Sequence, residues 1–139
     1  MVNVSPATLT FDATNPDLAP AVAAHANATV SWQNRSSIPG RWDLMVRADS
    51  ASFTNCPRIP VSAVTVSCVS AVTNTASSGN CRPGFALSTS PERIAGGNQT
   101  GATFSYSVAL SFTLADNWRN IAESSSPCSL SLSYTATVP

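Results

Sequence analysis

An alternation of apolar and polar residues repeats along much of this chain, and it is clearest at residues 104–114. Every second side chain in that stretch is large and apolar, and serine, threonine or alanine stands between them. A period of two residues is typical of a β-strand with one apolar and one polar face. The pattern therefore predicts one long strand whose apolar face meets a core.

Shorter stretches with the same period predict further strands, at residues 28–32, 42–48, 64–68 and 130–138. Trp32 and Trp42 share the parity of the inward positions, so both are expected in the core. Turn-forming residues separate these stretches every 8 to 15 residues. We expect an all-β protein: a single domain over residues 1–139, folded as an antiparallel immunoglobulin-like β-sandwich of about seven to nine strands. The segment SPERIAGGNQTG, residues 90–101, is interpreted as a loop because it holds a proline and paired glycines.

The N-terminal segment has its own alternation, carried by Val2, Val4, Leu9 and Phe11 and interrupted by Pro6. It predicts an edge strand or a bent strand over residues 1–12, followed by a Pro- and Ala-rich connection over residues 13–27. This arrangement resembles the donor strand of bacterial filament subunits, where the N-terminal strand of one subunit completes the sandwich of the next. The resemblance implies assembly in trans, and pairing within its own domain is the alternative.

The composition is poor in charge and rich in hydroxyl groups. Charged residues make up 10% of the chain, against roughly 25% in average domains, and the formal net charge is zero. The seven basic residues are all arginine and are scattered, which argues against a nucleic-acid partner. Serine and threonine form about a quarter of the chain, as is typical of an exported β-protein. No run of 18 apolar residues occurs, so no membrane-spanning helix is expected.

Four cysteines, Cys56, Cys68, Cys81 and Cys128, predict two disulfides and an extracellular or cell-surface location, with any signal sequence already removed. The favoured pairing is Cys68–Cys81 across a hairpin that turns near Asn74, which leaves Cys56–Cys128 by elimination. The other two pairings stay open. A four-thiolate zinc site is less favoured because its ligands usually include one closely spaced pair.

The sequence contains no recognisable catalytic arrangement. It has one histidine, His25, and two glutamates, Glu92 and Glu123, and none of them stands in a nucleophile, phosphate-binding or metal-binding motif. We therefore expect a protein that is not an enzyme and needs no cofactor or metal. The chain also holds no lysine, so it cannot form the Lys–Asn isopeptide bonds of many surface fibres.

Trp118 is the one tryptophan outside the alternating segments, and Asn117, Arg119 and Asn120 surround it. An aromatic ring among amide and guanidinium groups is typical of a sugar-binding face. The alternative interpretation is that Trp118 folds back as a lid over one end of the sandwich.

Residues 42–44 (WDL), which open an alternating strand, and residues 112–114 (FTL) resemble the paired Trp-x-Leu motifs of WxL-like bacterial surface domains. Phenylalanine replaces the second tryptophan here. The resemblance implies a β-sandwich attached noncovalently at the cell surface, including binding to peptidoglycan.

The sequence thus favours a non-enzymatic extracellular structural or adhesive protein, a subunit of a surface filament or layer that assembles by strand pairing. A glycan- or peptidoglycan-binding module of the cell surface is the alternative.

Overall fold

A computed structural model describes residues 1–12, 21–24, 26–34, 38–74, 79–100, 105–115 and 127–139. These residues form antiparallel β-sheets that pack as a disulfide-bonded β-sandwich, which confirms the predicted fold class. No helix in the described part of the chain is long and apolar enough to span a membrane.

Thirteen strands occur among the described residues, and seven of them are five residues or longer. The additional strands are short pieces that sequence alternation alone does not reveal. In chain order the strands are β1 (Val2–Ser5), β2 (Thr8–Phe11), β3 (Ala21–Ala23), β4 (Ala28–Gln33), β5 (Gly40–Ala48), β6 (Ser52–Phe53), β7 (Cys56–Pro60), β8 (Val64–Thr73), β9 (Asn80–Cys81), β10 (Phe85–Ala86), β11 (Glu92–Gln99), β12 (Ser105–Ala115) and β13 (Cys128–Thr137).

Two large sheets form the sandwich. Sheet 1 has the order β1-β4-β12-β8-β10, with β3 paired to β12 beyond the end of β4. Sheet 2 has the order β2-β13-β5-β11-β9, and β6 and β7 form a separate two-stranded ribbon. From β8 to β13 the strands alternate between the two sheets, and burial of one face of each sheet drives their packing.

The core follows the predicted alternation. Trp42, Leu44 and Val46 of β5 are at most 1% exposed, and Trp32 of β4 is 4% exposed. The predicted long strand is observed as β12, which pairs with β4 and β8 and is therefore interior to sheet 1. Its inward side chains are all buried, so the apolar face meets the core of its own sandwich.

The interpretation of residues 90–101 as a loop is wrong, because Glu92–Gln99 forms β11 along β5. Gly96 and Gly97 belong to this strand, and each allows a close approach. A Cβ atom at Gly96 would collide with the ion pair between Arg93 and Asp43, and one at Gly97 would lie 3.2 Å from Trp42 Nε1. The two glycines therefore accommodate neighbouring side chains instead of forming a turn.

The N-terminal segment divides into two strands that belong to different sheets. β1 pairs with β4 in sheet 1, the peptide bond before Pro6 is cis, and β2 pairs with β13 in sheet 2. The predicted connection over residues 13–27 also needs correction, because Ala21–Ala23 forms β3 against β12. Residues 13–20 lie outside the described part.

Both favoured disulfides are present. Cys56–Cys128 ties β7 to β13, with both side chains buried, and Cys68–Cys81 joins β8 to β9. The predicted hairpin is wrong, because β8 lies in sheet 1 and β9 in sheet 2. The Cys68–Cys81 bond therefore links the two sheets and does not cross a single ladder.

Candidate assembly site at the open edge of β13

Two close ion pairs lie near the surface of sheet 2. Arg82 Nη1 lies 2.7 Å from Glu92 Oε2, and Arg93 donates a short hydrogen bond to Asp43 across β11 and β5. Within the described ranges, no three His, Cys, Asp or Glu side chains are grouped so that they could hold a metal ion. These ion pairs join neighbouring segments of sheet 2.

The predicted sugar-binding residues lie outside the described residues. The same is true of the lone histidine and of Glu123, so these positions contribute no geometry here. The residues concerned are Asn117, Trp118, Arg119, Asn120, His25 and Glu123.

The four predicted donor-strand residues all pair within their own chain. Val2 and Val4 lie on β1 and are half-buried, whereas Leu9 and Phe11 lie on β2 and are buried. Residues 1–12 are therefore an integral part of both sheets in this structure.

An open edge begins where β2 ends. β2 pairs with the first four residues of β13, and the last of these pairs joins Thr8 to Ser131. Pro6 and Ala7, which precede Thr8, connect β2 to β1 in sheet 1. β13 continues along β5 as far as Thr137. No described strand pairs with the outer side of residues 134–138, which are called the open edge below.

The backbone direction of the open edge follows from the hydrogen bonds before it. Ser129 exchanges hydrogen bonds with Thr54, and Asp49 N–H donates to Ser131 O at 3.0 Å. Because backbone groups alternate sides along an antiparallel strand, odd-numbered residues of β13 bond towards β5. The even-numbered residues of the open edge therefore point their N–H and C=O groups away from sheet 2.

The burial of the inward side chains changes at the same place. Cys128 and Leu130 are at most 1% exposed and Leu132 is 9% exposed, whereas the next inward residues are only half-buried. The facing residues of β1 are half-buried too. β1 and β13 contact each other, and their half-buried apolar side chains pack against the core. These residues are called the seam below: Val2, Val4, Tyr134, Ala136 and Val138.

Burial at the seam also affects its one titratable group. The surrounding apolar side chains raise the pKa of the Tyr134 phenol well above 10.0, because desolvation disfavours the phenolate. The phenol is therefore neutral over the physiological range, so the inward face of the seam carries no charge.

The edge of sheet 1 at β8 is protected by comparison. β10 covers only two residues of β8, but Gly79 N–H donates to Ala71 O at 3.0 Å, and the Cys68–Cys81 bond crosses the rim. The β8–β12 register also shifts at Cys68, as in a β-bulge. Bulges and covering segments are devices that prevent edge-to-edge pairing. Among the residues that the structure describes, neither device occurs at the open edge of β13.

The two sheets also differ in charge. The strands of sheet 1 contain no charged residue, and their outward positions are mostly serine and threonine. In sheet 2 the charges lie on β5 and β11 only: Arg41, Asp43, Arg47, Glu92 and Arg93. β13 and its open edge are uncharged.

A cluster of aromatic rings lies at one end of the sandwich. Trp32 and Tyr106 stack with ring centroids 5.0 Å apart, and Trp42 meets Trp32 edge to face at 5.7 Å. The Tyr106 hydroxyl donates to Gln99 Oε1, which also accepts a hydrogen bond from Asn34 Nδ2 at 3.2 Å. Burial raises the pKa of the Tyr106 phenol, and a hydrogen bond with Asn34 offsets part of the increase.

A depression of about 530 Å³ adjoins this cluster. Its polar side chains carry amide and hydroxyl groups, and two buried aromatic rings also line it. The lining residues are Met1, Asn3, Ser31, Trp32, Gln33, Ser105 and Tyr106.

No protein-family model, curated protein or solved structure matches this chain. The resemblance to WxL-like domains therefore stays a prediction. Trp42, which carries the resemblance, is fully buried against Tyr106 and Trp32, and its role in this fold is packing.

Tyr134, Ala136 and Val138 of the open edge were predicted as the alternating apolar residues of a strand, and no site was predicted there. The only local signal was Pro6, which interrupts the N-terminal alternation. Locating the site requires knowledge of which part of β13 lies beside β2, and that pairing joins residues more than a hundred positions apart.

Proposed function

We propose that this protein is a non-enzymatic, extracellular structural or adhesive protein that self-associates by strand pairing at the open edge of β13. The observation that carries the proposal is the coincidence of unpaired backbone groups with half-buried apolar side chains over residues 134–138. Where β2 covers β13, the backbone groups are paired and the inward side chains are buried.

An added strand would pair the backbone groups of the open edge and also bury its apolar side chains. Its backbone would pair with the outward N–H and C=O groups, and its inward side chains would cover the seam. Strand addition of this kind combines main-chain hydrogen bonds, which give affinity, with side-chain burial, which gives specificity. A charged or proline-containing edge would oppose such pairing, and the open edge contains neither before Pro139.

The proposed location is supported by the two disulfides, because such bonds persist in oxidising compartments. The low charge content and the hydroxyl-rich outer face of sheet 1 agree with an exported β-protein. A net charge of zero also leaves copies of the chain without mutual repulsion.

The test compares two lysine substitutions one residue apart. Ala136→Lys directs a charge into the seam, whereas Thr135→Lys places the same charge on the exposed outer face. We expect wild type and Thr135→Lys to associate with rising concentration in light scattering and negative-stain microscopy, and Ala136→Lys to stay monomeric. Thermal unfolding verifies that all three fold.

If wild type is strictly monomeric at all concentrations, the proposal is wrong. Equal association of the two lysine variants would also contradict it, because the seam would then have no part in assembly.

A second function, binding of a neutral glycan, is favoured by one observation: the depression lined by amide and hydroxyl side chains beside Trp32 and Tyr106. Sugars are bound by such groups next to aromatic rings. Gln33→Ala should reduce retention on cell-wall polysaccharide several-fold, while Thr113→Ala, at an exposed position on the same sheet, should not. Equal retention of both variants and wild type would remove the depression from consideration.

A further inference from the structure

We infer that the occupant of the open edge is the open edge of a second copy, paired antiparallel around a twofold axis at Ala136. The inference rests on the proposed function and deepens it by naming the partner and the register. A twofold axis makes both copies use the same surface, so the surface must be complementary to itself.

The register follows from the limits of the uncovered segment. On one side, Thr8 occupies the position beside Ser131. Ala7 and Pro6 connect Thr8 to β1 and take up the space beside the next two residues of β13, Leu132 and Ser133. A partner strand can therefore lie only beside residues 134–138. Ala136 is the middle residue of that segment.

The backbone directions fit this centre. The N–H and C=O groups that point away from β5 belong to Tyr134, Ala136 and Val138, as the alternation of hydrogen bonds along β13 requires. With the axis at Ala136, Tyr134 of each copy pairs with the partner's Val138, and the two Ala136 residues pair with each other. Three such pairs exchange about six hydrogen bonds, and every outward N–H and C=O group of the open edge is then used.

An axis at Tyr134 is excluded by the fold itself. The partner's Thr137 would then stand beside Ser131, where Thr8 already pairs. Ala136 also has the smallest inward side chain of the open edge, so two copies can approach closely at the axis.

The chemistry of the edge suits self-pairing. Thr135 of each copy faces the partner's Thr137 in this register, so hydroxyl groups meet hydroxyl groups on the outer face. No charge lies within the segment, so identical edges do not repel each other. The half-buried apolar side chains of each copy continue the row of the other.

This geometry has a structural consequence. An isologous pair uses both open edges and closes, so a filament of these dimers would need a second, different surface. The inference therefore predicts a discrete dimer as the first species formed.

The test is a scan of single cysteines under mild oxidation. In the inferred register the two Ala136 Cα atoms lie about 5.5 Å apart, within the range of a disulfide. The two Tyr134 residues are offset by four positions along the strands, or about 13 Å, which is too far. Ala136→Cys should give mostly cross-linked dimer, and Tyr134→Cys and Thr135→Cys should give at least ten-fold less.

Hydrogen exchange of the wild type provides a second measurement that needs no variant. The amides of Tyr134, Ala136 and Val138 should become at least ten-fold better protected as the protein concentration rises, in step with dimer formation. The amide of Leu130, which points towards β2, should not change.

The outcomes separate the inference from the proposed function. If wild type associates but Ala136→Cys cross-links no more than Tyr134→Cys, the twofold register is wrong and assembly by strand addition stands. If association leaves the open-edge amides unprotected, both are wrong. Protection together with larger open-ended species overturns the closed dimer alone.

Discussion

The two halves of β13 share a sequence pattern but differ in their surroundings. Residues 128–131 and residues 134–138 both alternate serine or threonine with less polar, inward-facing residues. The first half pairs on both sides, is tied to Cys56 and buries its inward residues fully. Of the described strands, the second half pairs with β5 alone, and its inward residues are half-buried. The presence of a neighbouring strand, and not the composition, separates the closed half from the open half.

The difference shows how a short N-terminal strand can both complete and expose a sandwich. β2 covers only four residues of β13 because the chain before Pro6 lies in sheet 1 as β1 and enters sheet 2 only at Thr8. The same crossing that closes one half of the edge therefore leaves the other half open.

The largest expected effect concerns the covalent tie of the closed half. Replacing Cys56 and Cys128 together with alanine should lower the free energy of unfolding by about 4 kcal/mol, because the bond closes a long loop of the unfolded chain. The sequence separation is 72 for this pair and 13 for Cys68–Cys81, so the corresponding Cys68 and Cys81 double variant should lose about 3 kcal/mol. Urea unfolding measures both, and a larger loss for the shorter loop would contradict the ranking.

The next effect compares one apolar side chain from each half. Leu130→Ala should lower the free energy of unfolding by about 3 kcal/mol, because it leaves a cavity in a fully buried site. Val138→Ala should cost about 1 kcal/mol or less in the monomer, since its site is already partly open to solvent. Similar losses in dilute solution would show that the seam is as well packed as the core.

A smaller effect depends on pH and tests burial at the seam. The pKa of Tyr134 is raised in the folded state, so its contribution is fully present below the unfolded value of 10.0 and is lost as the pH rises above it. The free energy of unfolding should then decline by up to about 1.4 kcal/mol per pH unit for this tyrosine. Urea unfolding between pH 8 and 11.5 should show that the free energy of unfolding declines less steeply with pH for Tyr134→Phe than for wild type. The decline that remains in this variant is attributed to Tyr106, whose pKa is also raised. An unchanged slope would mean that Tyr134 is solvated.

The smallest effect lies at the junction of the two halves. The Ser133 hydroxyl donates to Asp49 Oδ1 at 2.5 Å on the outer face. Because the bond is exposed to solvent, Ser133→Ala should cost about 0.5 kcal/mol. Thr137→Ala, at an exposed position on the same face, serves as the control in thermal unfolding, and a loss above that of Leu130→Ala would contradict this assignment.

Local alternation was sufficient to predict the parts of the fold that depend on which side a residue faces. The inward positions of β5, β12 and β13 follow it, and so does the sandwich itself. The disulfide partners were also identified, although the supposed hairpin between Cys68 and Cys81 was wrong. Parity reports the face of a strand, but it does not report the sheet to which the strand belongs.

The parts that could not be predicted depend on distant neighbours. β11 looked like a loop because Gly96 and Gly97 make room for Trp42 and for the Arg93–Asp43 ion pair, which a local pattern cannot indicate. The open edge could not be predicted for the same reason, since it is defined by where β2 stops along β13. Pairing registers between the two ends of a chain are set by the whole core and not by either segment.

The Cys56–Cys128 bond would limit how far the chain extends if a force were applied to its two ends. A covalent link joins two residues separated by 72 positions, so a pulling force cannot extend the chain between them. At about 3.4 Å per residue, the link withholds roughly 250 Å of contour length. Such a force extends only the segments before Cys56 and after Cys128. β8, β11 and β12 lie between the two cysteines, so the disulfide keeps them from being extended.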